Sequence, residues 1–92
     1  MERKEILQAA EQCVCHDRDD QYGTPEDSFG IISDLWSVYL DAVIGPRDVA
    51  AMMALLKIAR IKKSMKEDNW VDLAGYAACG GEIDDQEQKA TD

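Results

Sequence analysis

Apolar side chains recur three and four positions apart near the start of the chain, at Ile6, Leu7, Ala10, Cys13 and Val14. This spacing predicts an amphipathic helix from residue 3 to about residue 16, and the narrowness of the stripe places it on a surface. Polar residues 17 to 23 break the pattern. Thr24-Pro25-Glu26-Asp27 then offers a capping hydroxyl, a proline suited to the first helical position and an acid three residues after the cap. A second helix is therefore predicted from Pro25 to about Val43, burying Phe29, Ile32, Leu35, Trp36 and Tyr39. Gly45-Pro46 stops it and starts a third helix, about residues 46 to 64. The third helix is apolar around most of its circumference and reads as the centre of a bundle or an oligomer interface. A fourth helix is predicted over about residues 69 to 79, capped by Asp68 or Asn69 and ended by Gly80-Gly81. Residues 82 to 92 lack periodic apolar positions and are expected to form an acidic tail without fixed structure.

The pattern gives a fold class: all-α, a small bundle of about four helices in one domain over residues 1 to 81. Ninety-two residues bury only a modest core, so the bundle is expected to be completed by self-association, as a dimer through the third helix. No run of eighteen apolar residues exists, so no membrane span is expected. The charged start Met1-Glu2-Arg3-Lys4-Glu5 lacks the apolar core of a signal peptide, and Cys13, Cys15 and Cys79 lack a disulfide framework. Both point to a soluble protein of the cytoplasm. A net charge of −9 argues against direct nucleic-acid binding. That charge is unevenly spread. Residues 46 to 66 hold Arg47, Lys57, Arg60, Lys62, Lys63 and Lys66 against Asp48 alone. A basic helix inside an acidic protein either attracts a phosphate-bearing ligand or satisfies neighbouring acids.

The candidate chemistry is carboxylate chemistry. Asp68, Asp72 and Tyr76 lie at i, i+4 and i+8, which sets two acids and a phenol on one face of the fourth helix. Lys57 and Arg60 interrupt the most apolar helix and need partners there. In one reading, Asp48, Asp68 and Asp72 bind Mg²⁺, Lys57 and Arg60 hold phosphates, and Arg18 and Tyr22 close over a base or ribose. In the other, Asp72 pairs with Lys57 or Arg60 and Asp68 caps a helix. Cys13-Val14-Cys15-His16 has no second ligand pair for zinc, and no phosphate loop or recognisable nucleophile is visible.

The residues Asp17-Arg18, Tyr22-Gly23-Thr24-Pro25, Leu35-Trp36, Asp48-Val49-Ala50, Leu55-Leu56-Lys57-Ile58-Ala59-Arg60 and Asp68-Asn69-Trp70-Val71-Asp72-Leu73-Ala74-Gly75-Tyr76 resemble a family of short phage and prophage proteins of unknown function. The resemblance covers about residues 3 to 81. That family distantly resembles the MazG-like all-α nucleoside triphosphate pyrophosphohydrolases, whose helices supply paired acidic clusters for magnesium. Asn69-Trp70-Val71-Asp72 stands where the second cluster would be, with an amide for its leading acid, and the third helix has Asp48 but no acidic pair. The resemblance implies nucleotide handling, with Asp72 and Asp68 as catalytic residues and Lys57, Arg60, Arg18, Tyr22 and Tyr76 around the substrate. The acidic composition supports a different class of function, a non-enzymatic accessory protein that binds a basic site on a host protein.

Overall fold

The computed structural model describes residues 1–17 and 24–91. Helix α1 spans Arg3–Gln12 and continues into a π-helical turn, Cys13–Asp17. Its start is closed by the Glu5 carboxylate, which accepts the Glu2 backbone N–H at 3.2 Å. Ala10 is buried and Val14 half-buried against the core, while Leu7 and Cys13 face solvent, so the buried stripe is narrower than the apolar spacing predicts.

Helix α2 spans Pro25–Leu40 and begins as its sequence dictates: Thr24 Oγ1 accepts the Asp27 N–H at 3.4 Å and Pro25 occupies the first turn. It ends three residues short of the expected Val43. Asp41 turns into the left-handed region at φ 51°, which a short polar side chain tolerates, and its N–H bonds back to the last carbonyls of the helix. Ser37 then fixes the connection. Its Oγ accepts the Ile44 N–H at 3.0 Å and lies within donating range of the carbonyls of Ile44 (3.0 Å) and Ser33 (2.7 Å).

Helix α3 spans Pro46–Lys63, and Asp48 Oδ2 accepts the Gly45 N–H at 2.9 Å across its first turn. Helix α4 spans Glu67–Thr91. It starts two residues earlier than predicted, so Asp68 and Asn69 lie in its first turn rather than at its cap. It also runs straight through Gly80-Gly81. The glycine pair reads as a stop in sequence, yet a Cβ at Gly80 would sit 3.2 Å from the Ala50 Cβ. Gly80 therefore permits the close approach of α4 to α3, the most extensive helix pairing in the molecule. Gly75 does the same against the π turn, where a Cβ would meet Val14 Cγ1 at 2.9 Å.

The core gathers Phe29, Val49, Ala50, Cys79 and Ile83, with Val14, Ile32, Trp36, Ile44, Met53 and Tyr76 packed around them. Ile83 is fully buried, although it lies in the stretch expected to be a tail. Leu35 and Tyr39 depart from expectation in the other direction, at 65% and 87% exposed. The described residues form a small all-α bundle with no strand. Among them, no helix is long and apolar enough to cross a membrane.

Candidate functional site

Most of the described residues singled out by sequence fall in three places. Lys57 and Asp72 form the first, with the ammonium 2.9 Å from the Asp72 carboxylate. Lys57 is buried on the inner face of α3, and Asp72 is half-buried one helix away. A desolvated ammonium needs such a partner whatever the protein does. Of the two cations that sequence offered to Asp72, the structure assigns it Lys57.

The second place is a shallow groove between α3 and α4, floored by Ala50, Ala54, Ala77 and Gly80 and bordered by Asp48, Tyr76 and Asp84. Arg47 closes its end by an ion pair with Asp84 at 2.7 Å. That hydrogen bond to Asp84 raises the Arg47 pKa further above its ordinary value. Tyr76 packs against Phe29, with ring centroids 6.1 Å apart, so its ring serves the core while its edge reaches the groove. Asp48 is engaged with the backbone of Gly45.

The third place is the corner where α3 gives way to α4. A cavity of about 440 Å³ is lined there by Ala59, Arg60, Lys63, Ser64, Lys66 and Asn69. Arg60 and Lys63 are one turn apart at the end of α3, Lys66 follows in the connection, and Asn69 is a buried amide at the start of α4. Among the described residues, three cations and no acid line this concavity. The cations also complement the negative end of the α3 dipole, which accounts for their local tolerance. A guanidinium with two ammonium groups around an open cavity suits the oxygens of a phosphate.

Asp68 and Asp72 lie one turn apart on α4, with Asp68 exposed and Asp72 paired with Lys57, but Asp48 does not join them: it borders the groove at the start of α3. Among the described residues no three carboxylate, histidine or cysteine side chains converge as a metal site. The expected magnesium ligands therefore do not fit that ion as a set. Arg18 and Tyr22 lie outside the described residues. Ser64 carries no signal in the sequence; Lys63 and Lys66 stand out there only as part of the basic stretch 46 to 66 and Asn69 only as part of the cluster at residues 69 to 72, and it is the fold that brings them around one cavity.

Residues 5–84 match the profile of a domain of unknown function, DUF6378. The chain is similar to the Gene 55 protein of Mycobacterium phage D29, 41% identical over 75 residues that cover 80% of this chain and 50% of that protein. It is likewise similar to the Gene 55 protein of Mycobacterium phage L5, 42% identical over 74 residues, 78% of this chain and 47% of that protein. The chain spans about half the length of the curated relatives it matches. No solved structure matches it significantly.

Proposed function

The chain belongs to the DUF6378 family, a phage protein family of unknown function, and within it we propose that the α3–α4 corner binds a phosphate-bearing ligand of the nucleotide class. One observation carries this reading: Arg60, Lys63 and Lys66 surround a cavity with no acid among the described residues of its lining, in a chain whose net charge is −9. Its volume lies within the range of small-ligand sites. Arg60 supplies a planar fork for two phosphate oxygens, the lysines supply point charges, and Ser64 and Asn69 supply neutral hydrogen-bonding groups. The role is binding. Asp72, the expected catalytic acid, is engaged with Lys57; Asp68 lies one turn before it on α4, and Asp48 is held at the far end of α3 by the Gly45 backbone.

Thermal unfolding against nucleoside mono-, di- and triphosphates, each with and without magnesium, tests the proposal, because a ligand of the native state raises its midpoint by mass action. The expected result is a midpoint that rises with the number of phosphates, does so without magnesium, and loses the response in Arg60→Ala/Lys63→Ala. No shift at millimolar ligand would overturn it. A second reading draws on the exposed acids Glu82, Asp84, Asp85 and Glu87 along the outer turns of α4, which suit a basic site on a host protein. Such a complex should dissociate as salt screens the attraction.

A further inference from the structure

We infer that two copies of this chain pair through the outer faces of α2 and α3, with α2 of each copy lying on α3 of the other. Helix α2 turns Phe29, Ser33 and Trp36 toward the core. Its opposite face carries Ile31, Leu35 and Val38 at i, i+4 and i+7 with Tyr39 beside them, and these are 65%, 65%, 83% and 87% exposed. Helix α3 repeats the arrangement. Val49, Ala50 and Lys57 face inward, while Met52, Leu55 and Ile58 stand on the outer side at 41%, 63% and 50% exposed. A helix with an apolar stripe on each side is built for two layers, and one chain supplies a single layer.

The extent of this surface exceeds what a monomer usually leaves open. Monomeric proteins seldom expose an apolar patch above a few hundred Å². Summed over the two helices, the seven residues expose on the order of 1,000 Å², enough to supply the ~800 Å² that each partner contributes to a stable interface.

Charge selects the occupant. Asp27 and Asp34 are exposed on α2, whose sequence has no cation, whereas α3 leaves Arg60, Lys62 and Lys63 exposed, its Lys57 facing inward to Asp72 and its Arg47 paired with Asp84. A second copy related by a two-fold axis lays an acid-bordered apolar stripe on a cation-bordered one, and does so twice. Pairing α2 with α2 would instead oppose like charges. Asp34 lies one turn from Ile31 and from Val38, and Lys62 lies one turn beyond Ile58, so both sit at the border of the contact. Lys62 is absent from the lining of the corner cavity, so this inference stands apart from the phosphate reading.

Sedimentation equilibrium of the whole chain provides the test. The expected result is a dimer at tens of micromolar, reduced to monomer by Leu35→Glu with helicity unchanged, since Leu35 contributes little to the core. Asp34→Lys and Lys62→Glu should each weaken self-association by about tenfold. Mixing these two variants should restore it, because only the mixed pair brings opposite charges together at both contacts. A wild-type chain that stays monomeric at several hundred micromolar overturns the inference and assigns the apolar faces to another partner. Dimerisation that ignores the variants, or that the mixture fails to restore, overturns the α2-on-α3 arrangement.

Discussion

Lys57 shows how much a single residue in a pattern conveys. An ammonium in the most apolar helix must be paired, and the sequence made that need visible. The identity of the partner depended on how α3 and α4 turn toward each other, which no spacing along one helix reports. Their pairing at 2.9 Å, with Lys57 buried and the Asp72 side chain 40% exposed, sets an asymmetric expectation. Asp72→Ala strands a buried cation and should cost about 1–2 kcal/mol, less than the loss of a fully buried pair because water reaches the vacated side. Lys57→Met removes the charge and keeps the packing, so it should change stability by less than about 1 kcal/mol. Urea unfolding of the two variants checks both. Equal large losses would show that the Lys57 ammonium contributes net stabilisation in its own right.

Helix α4 is the element whose sequence signal and structure differ most. Gly80-Gly81 resembles a C-terminal stop because glycine commonly follows a helix, but the same lack of a side chain also permits close packing. Local sequence cannot distinguish these uses. The neighbour decides, and at Gly80 it is Ala50 on α3. Continuation of the helix carries Ile83 into the core, where it is fully buried. Ile83→Ala should therefore cost about 2–4 kcal/mol, and removal of residues 82 to 92 should lower the unfolding midpoint at least as much. An unchanged midpoint after truncation would return these residues to the role of a tail. The glycines separate further by what surrounds them. A Cβ on Gly81 would meet nothing within 4 Å, so Gly81→Ala should stabilise by about 0.5–1 kcal/mol, whereas Gly75→Ala meets Val14 and should destabilise despite the better helix propensity. Thermal midpoints that move in opposite directions for the two variants are the expected readout. In α2 the cap and start were legible at Thr24-Pro25, but hydrophobicity alone assigns Leu35 and Tyr39 to the core. Their exposure follows from a helix with two apolar sides, only one of which meets the rest of this chain.

Across the whole molecule, charge is the dominant feature. Nineteen acids against ten basic side chains repel one another in the compact state. Raising the ionic strength from about 10 mM to 150 mM shortens the screening length from about 30 Å to 8 Å. The unfolding midpoint of the ligand-free chain should rise over that range, while the gain produced by a nucleotide should shrink as the attraction of Arg60, Lys63 and Lys66 is screened. A midpoint that falls with salt would mean that the favourable pairs, including Lys57 with Asp72 and Arg47 with Asp84, outweigh the self-repulsion.

Periodicity, capping and the cost of burying a charge act within a few residues of the chain, so the helices, most of their starts and the need for an ion pair could be read from the residues alone. Which acid meets which base, and whether a glycine ends a helix or lets two helices touch, emerged only with the packed bundle. So did the convergence of the cations at the α3 end around a cavity while Asp48 stays apart from Asp68 and Asp72. Those outcomes depend on the relative rotation and approach of whole helices. These are set by the sum of many packing contacts, and no single segment encodes them.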